Sequence, residues 1–225
     1  MLSFRTRASF SISRLHALSA LSSRSQTTDI AMSAVNVRRA TVTDSAKLSC
    51  FAGDMFALTF GHLYPTEVTA KFLETDYTES IYSEWIQDSK YGVWVATANK
   101  CDSTSEEVKD TIIGYCVCGS SSLPRTESCS GEVKKLYVDK AYFGNGLANK
   151  LFETGVSWIR ESYAGHPIYI SVYSENFRAI KFYNRYNFAK HDEYVYVVGE
   201  CRDREFILKE ADSSAGSTYT KEIVA

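Results

Sequence analysis

The sequence contains no long apolar run and is poor in cysteine, proline and histidine. No segment approaches the roughly 20 apolar residues that a helix needs to cross a bilayer, so no membrane partner is predicted. Six cysteines in 225 residues are too few for a disulfide scaffold. Cys116 and Cys118 are one position short of a Cys-x-x-Cys pair, and no histidine cluster lies near them. We therefore expect buried free thiols and no metal site.

The first 31 residues differ in composition from the rest of the chain. They hold four arginines and eight serines, with no acidic residue before Asp29, and apolar residues recur every three positions from Ile12 to Leu21. This pattern resembles a mitochondrial transit peptide, and it predicts a mitochondrial location. The alternative interpretations are a disordered leader, or a chain that starts at Met32 and stays in the cytoplasm.

The remainder of the chain is mildly acidic and has the length of one domain. The leader carries a net charge of +3, so the rest carries −5 against −2 for the whole sequence. A mildly acidic body gives no support for nucleic-acid binding, and it tolerates a cationic substrate. We expect one domain over residues 32–210, followed by a flexible tail over 211–225.

Strand and helix patterns alternate along this domain. Apolar runs and turn residues predict strands over 35–42, 92–98, 111–118, 132–138, 167–173, 193–198 and 204–208. Capping residues and apolar stripes predict helices after Thr43 or Asp44, from Pro65, after Thr78, and over 145–162 and 175–186. The polar run 99–110 and the serine-rich run 119–131 are expected to be loops. The class is a mixed α/β sheet with helices on both faces.

A short glycine turn lies where the fourth predicted strand gives way to a helix. Gly144 and Gly146 flank Asn145 there. Glycine allows a sharp turn and a close ligand, and the N–H groups that open a helix attract an anion. This favours a pyrophosphate cradle, with a simple tight connection as the alternative. A dinucleotide fingerprint is not matched, because Asn149 stands where its third glycine belongs, and no Walker sequence follows.

Two motifs in order make a family resemblance. Residues 136–148 resemble the acetyl-CoA motif of the GNAT N-acetyltransferase superfamily, Arg/Gln-x-x-Gly-x-Gly/Ala, with Phe143 where Arg or Gln is usual. Residues 176–188 are similar to the family run Asn-x-x-Ala-x-x-Leu/Phe-Tyr-x-x-x-Gly-Phe, with Asn187 in place of glycine. Asparagine tolerates the left-handed conformation that this glycine adopts. The resemblance implies a mostly antiparallel sheet of six or seven strands over roughly residues 36–210.

The resemblance also implies a co-substrate site for acetyl-CoA, with no metal. Backbone groups near Leu136 would bind the pantetheine arm, the glycine turn would bind the diphosphate, and Asn176 would contact the pantetheine or phosphate end while capping its helix. The implied co-substrate-binding residues are Leu136, Tyr137, Val138, Phe143, Gly144, Asn145, Gly146, Leu147, Ala148, Asn176 and Tyr183.

Acetylation of an amine needs a neutral amine, an oxyanion donor and a proton for the departing thiolate. The resemblance implies Tyr183 as the proton donor and the backbone N–H of Val138 as the oxyanion donor; a core tyrosine is the alternative for Tyr183. Glu132 is the candidate base, with an exposed glutamate or a water relay as alternatives. On a regular strand Glu132, Leu136 and Val138 share a face, and a β-bulge would break this relation.

The acceptor is expected to be a small amine. Phe60, His62 and Tyr64 lie in the stretch that lines the acceptor site across this superfamily, and aromatic rings suit a cationic amine. The stretch is similar in sequence to the corresponding part of a bacterial branch of the superfamily that includes polyamine acetyltransferases. Alternatives are a peptide or protein N-acetyltransferase and a catalytically weak CoA-binding sensor. A homodimer is possible, as in many members of the superfamily.

Overall fold

The computed structural model describes residues 35–101 and 108–211, without the side chains of residues 100, 101, 108 and 109. Seven strands of these two ranges form one sheet in the order β1-β2-β3-β4-β5-β7-β6. They are β1 (Val35–Arg39), β2 (Gly92–Cys101), β3 (Val108–Ser120), β4 (Gly131–Val138), β5 (Ile168–Tyr173), β6 (Phe188–Val198) and β7 (Cys201–Glu210). Every neighbouring pair is antiparallel except β4–β5, which is parallel. The predicted fold class is confirmed.

Within the described residues, five α-helices cover the two faces of the sheet. They are α1 (Ser45–Phe60), α2 (Thr66–Asp76), α3 (Glu79–Gln87), α4 (Leu147–Ser162) and α5 (Phe177–Asn184). Helices α1 to α3 contribute to one apolar core, and α4 and α5 contribute to the other. No helix in the described ranges is long and apolar enough to cross a membrane.

Helix α4 lies close to the central strands because it carries a glycine at the contact. A Cβ on Gly155 would come within 2.7 Å of Cys118 Sγ and 2.9 Å of Cys116 Sγ. Both cysteines are fully buried and free, with their sulfurs 3.7 Å apart. The expectation of buried free thiols at these two positions is confirmed.

The entry into α1 is held by one carboxylate. Arg38 donates hydrogen bonds from both terminal nitrogens to Asp44, at 2.7 and 2.8 Å. The N–H and hydroxyl of Thr41 donate to the same carboxylate at 2.8 and 2.9 Å. These bonds hold the pKa of Asp44 far below its usual range.

Several predicted boundaries are wrong. The run 99–110 is not all loop, because β2 continues to Cys101 and β3 begins at Val108, with Asn99 paired to Asp110. Polar side chains form this hairpin extension because backbone pairing does not depend on them. Pro65 precedes α2 rather than opening it. Thr78 caps α3 as predicted, accepting from the N–H of Ile81 at 3.4 Å.

Two predicted segments cannot be compared with the structure. The leader, 1–31, and residues 212–225 of the tail lie outside the described residues.

Candidate active site

Strands β4 and β5 pair over three residues and then separate. The pairs are Gly131 with Ile168, Glu132 with Tyr169, and Val133 with Ile170. Both strands continue beyond the last pair, β4 to Val138 and β5 to Tyr173. Unpaired backbone groups of both strands therefore face a gap in the middle of the sheet.

A β-bulge lies in β4 where this gap begins. Val117 of β3 pairs with Lys135, and the next residue, Cys118, pairs with Val133. Lys134 is thus the extra residue on β4. An extra residue bends its strand and increases the local twist, which accounts for β4 leaving β5 here.

The bulge changes which β4 side chains share a face. Val133 and Val138, five positions apart, both belong to the core beneath α4, whereas a regular strand would point them to opposite faces. Glu132 therefore faces away from Leu136 and Val138, as expected if a β-bulge interrupts the strand, and the shared face of a regular strand is not found. Glu132 instead lies on the side of α1.

The glycine turn has the backbone that the sequence predicts. Gly144 and Gly146 have φ values of 82° and 83°, and Gly146 is the N-cap of α4. A Cβ on either glycine would meet no protein atom within 4 Å. The space beside these N–H groups is therefore open to a ligand, and an anion suits the start of a 16-residue helix.

Asn145, between the glycines, accepts a hydrogen bond from the N–H of Leu147 at 3.2 Å. It stabilises the turn from within and is not among the residues that line the cavity described below. The other predicted co-substrate residues all line that cavity.

The second motif has the expected local geometry. The side chain of Asn176 caps α5 by accepting from the N–H of Ala179 at 3.2 Å, and it lines the cavity as well. Asn187 adopts φ 63°, which confirms that asparagine takes the left-handed conformation in the turn after α5.

Tyr183 projects from α5 into the same cavity. It is 8 % exposed and packs against Phe152, with ring centroids 5.6 Å apart. No described residue forms a hydrogen bond with its hydroxyl. Burial raises the pKa of the Tyr183 phenol, and the nearby thiols of Cys116 and Cys118 raise it further. The phenol therefore stays protonated near neutral pH, as a proton donor must.

Glu132 is buried and already partnered. Its carboxylate accepts from the N–H of Ser122 at 2.9 Å and forms an ion pair with Lys134 at 2.9 Å. The side chain is 5 % exposed but lines the cavity. Both contacts occupy the carboxylate, so a substrate amine at this position has to compete with Ser122 and Lys134.

Two carboxylates that the sequence reading missed lie on β7. Tyr64 donates a hydrogen bond to Asp203, and Ser171 donates one to Glu205. The hydroxyl of Tyr194 also donates to Glu205, at 3.3 Å. Burial raises the pKa of the Glu205 carboxyl above its usual range.

These carboxylates lie in an aromatic wall on the α1 side of the sheet. Phe60 meets Tyr173 edge to face at 6.2 Å, and Tyr196 meets Phe72 at 6.5 Å. Asp76 and Glu132 bring the acidic groups of this side to four, and Lys134 and Lys135 supply two cations. Lys134 pairs with Glu132, and Lys135 donates to the hydroxyl of Tyr77 at 3.1 Å. Carboxylates thus outnumber cations on this side.

The predicted acceptor residues separate into two groups. Phe60 and Tyr64 line the cavity. His62 is exposed in the short helical turn Gly61–Leu63 and is not among the lining residues.

One cavity of about 1490 Å³ connects all these features. Its lining includes the glycine turn and Tyr183 from the α4–α5 side, and Tyr64, Asp203 and Glu205 from the α1 side. Both strands of the gap also line it, so the cavity passes through the sheet where β4 and β5 part. In the described part of the chain no cluster of His, Cys, Asp or Glu is suited to hold a metal ion.

Comparison with known proteins agrees with this geometry. Residues 59–188, more than half of the chain, match the model of the acetyltransferase (GNAT) family. An uncharacterized N-acetyltransferase of Lactobacillus delbrueckii is 26% identical over 182 residues, which is 80% of this chain and 99% of that protein. The spermine/spermidine N(1)-acetyltransferase of Bacillus subtilis is 26% identical over 84 residues, 36% of this chain and about half (55%) of the relative.

Solved structures show the same fold. The PaiA N-acetyltransferase of Thermoplasma acidophilum, in complex with coenzyme A, superposes with a TM-score of 0.58 at 17% identity, covering 78% of this chain and 98% of that one. Arabidopsis thaliana NAA60, in complex with a bisubstrate analogue, also gives 0.58, at 15% identity and with 78% and 98% coverage.

The two parallel strands of the sheet separate, and a glycine turn and a buried phenol lie at the gap between them. This arrangement is that of an acyltransferase that uses acyl-CoA. The chain belongs to the GNAT family of N-acetyltransferases. Acetyl-CoA is its co-substrate, and the open glycine turn fits the diphosphate of that molecule.

Proposed function

We propose that this enzyme transfers acetyl to a primary amine of a small polycation such as a diamine or polyamine. The observation that carries the proposal is the cavity through the sheet, which has an open glycine turn on one side and Asp203 and Glu205 on the other. Acetyl-CoA enters from the α4–α5 side, the amine enters from the α1 side, and the two meet between β4 and β5.

The acidic side supports a substrate with more than one ammonium group. Asp203 and Glu205 are two positions apart on β7, which on one face of a strand corresponds to about 7 Å. Both lie among aromatic rings, which attract cations as well. We propose that one carboxylate holds the reacting amine and the other holds a second ammonium group several bonds away.

The proposed chemistry is direct transfer. Acetyl-CoA supplies an activated acetyl thioester, whose C–S bond breaks as the C–N bond to the amine forms. Glu205 accepts the proton that the amine must lose, because its raised pKa makes it a better base than an ordinary carboxylate. The N–H of Val138 donates to the developing oxyanion, and Tyr183 gives its proton to the departing sulfur.

Glu132, the base suggested by the sequence, stays a prediction. Its ion pair with Lys134 argues for Glu205 instead, and the pH profiles of Glu132→Gln and Glu205→Gln distinguish the two candidates.

The test is a thiol-release assay with acetyl-CoA and a matched set of acceptors: spermidine, putrescine, butylamine, and a short peptide with a free amino terminus. We expect kcat/KM for spermidine to exceed that for butylamine by about tenfold or more, since one ion pair with a charged partner is worth that much. A preference for the peptide would instead make the chain a peptide N-acetyltransferase. CoA binding without transfer to any acceptor would leave a CoA-binding sensor.

A further inference from the structure

One cationic side chain beside the glycine turn has no role in the chemistry so far. The guanidinium carbon of Arg178 lies 4.0 Å from the ring centroid of Phe143. Arg178 is in the first turn of α5, while Phe143 directly precedes the glycine turn. Both residues line the cavity.

Phe143 stands where the related motif usually has a cationic or amide side chain. Phe143 is 45 % exposed. The stacked guanidinium covers one face. The residue that breaks the motif thus holds a cation beside the same turn.

Arg178 is also available for an anion. In the described ranges it forms no ion pair, whereas Arg38, Arg125, Arg160 and Arg204 each pair with a carboxylate. A guanidinium that stacks by its face keeps its N–H edge free, and that edge matches the geometry of a phosphate.

We propose that Arg178, positioned by Phe143, binds a phosphate of CoA and replaces the side chain missing from the motif. The proposal rests on the proposed function only in that the diphosphate lies at the glycine turn. It accounts for how a chain with phenylalanine at position 143 keeps a cationic contact for its co-substrate.

Titration calorimetry with CoA and with 3′-dephospho-CoA tests the proposal. We expect Arg178→Ala to raise the Kd for CoA about tenfold, as for loss of one charge-assisted phosphate contact. A rise with both ligands places the contact at the diphosphate, and a rise with CoA alone places it at the 3′-phosphate; either supports the proposal. Arg160→Ala removes the same charge from α4 outside the cavity and should leave Kd within about twofold.

Moving the cation back to the motif position gives the sharper test. Phe143→Arg in the Arg178→Ala background should restore the Kd to within about threefold of the original chain. The reason is that a guanidinium again lies beside the glycine turn, now on residue 143. Phe143→Ala alone should weaken binding, and it should add little to Arg178→Ala, because the two residues act as one unit.

An unchanged Kd for Arg178→Ala, or no recovery on adding Phe143→Arg, would overturn the proposal. Neither result would affect the proposed function, because that depends on the glycine turn. If Gly146→Ala also left CoA binding intact, the placement of the diphosphate itself would fail.

Discussion

Val133 and Ile170 form the last backbone pair between β4 and β5. Beyond them the only parallel pair of the described sheet opens, and the cavity passes through the opening. A bulge at Lys134 and the exit of β4 into the glycine turn produce this separation without a break in either strand. The chemistry proposed for the chain takes place at that gap.

Tyr183→Phe should lower kcat by a factor of about 10² to 10⁴, the usual range for loss of a general acid. The ring and its packing on Phe152 remain, so the melting temperature should change little. Burial raises the pKa of the Tyr183 phenol above its usual value of about 10. Deprotonation of this group should therefore not reduce the activity of the original enzyme below about pH 10.

Tyr186→Phe is the matched control. Its hydroxyl contacts Glu153 at 2.8 Å and does not line the cavity. Equal kcat for the Tyr183→Phe variant and the original chain would make Tyr183 a core residue only.

Gly146→Ala should raise the Kd for CoA about tenfold or more, because a Cβ would stand in the space that a phosphate needs. Backbone strain also accompanies alanine at a φ of 83°. Gly165→Ala provides the control, since Gly165 has φ 78° and equally open surroundings but lies outside the cavity lining. The two variants should lose similar stability, and a similar Kd in both would contradict a phosphate site at the turn.

Glu205→Gln and Glu132→Gln together identify the base. Glu205→Gln should raise KM for the amine and lower kcat, and the loss should shrink as pH rises, because the amine then arrives already neutral. Burial raises the pKa of the Glu205 carboxyl. On acidification, the activity of the original enzyme should therefore begin to fall at a pH above the pKa of an ordinary glutamate.

Glu132→Gln should show no such recovery with pH, because its carboxylate serves Ser122 and Lys134. The reverse pattern, with recovery at high pH only in Glu132→Gln, would return the role of base to Glu132.

Asp44→Asn should lower the free energy of unfolding by about 1 to 3 kcal/mol at neutral pH, the range for losing hydrogen bonds to a charged group. The folded pKa of Asp44 is depressed, so its contribution is present above an unfolded pKa of about 3.9 and disappears as pH falls through the folded pKa. When chemical denaturation is measured from pH 2 to 7, the free energy of unfolding of the variant should therefore fall less steeply toward acid pH than that of the original chain.

Asp192→Asn removes a more exposed pair with Arg125, which solvent screens, so it should lower the free energy of unfolding less than Asp44→Asn does. Equal losses of stability in the two variants would show that Asp44 stabilises the fold no more than an exposed ion pair does.

Local signals in the sequence predict much of the fold and half of the site. The glycine turn, the caps Thr78 and Asn176, and the left-handed Asn187 each depend on a few neighbouring residues. Such features are set by local backbone chemistry, which a motif records.

The acceptor side could not be predicted in the same way. Tyr64 and Asp203 are 139 positions apart, and they meet only because β7 inserts next to β5 in the sheet. Alternating charge along β7 was visible, but the choice of partner strand was not. The face of Glu132 was left open for a different reason, because a bulge reverses the face that a regular strand predicts and the sequence does not show whether Lys134 forms one.

A crystal structure with CoA and an acetylated polyamine tests the central claim most directly. We expect the diphosphate at Gly144 and Gly146, the sulfur between the N–H of Val138 and the hydroxyl of Tyr183, and the amine on the Glu205 side of the gap. A sulfur that lies away from Tyr183, or both molecules on the same side of the sheet, would contradict transfer through the opening between β4 and β5.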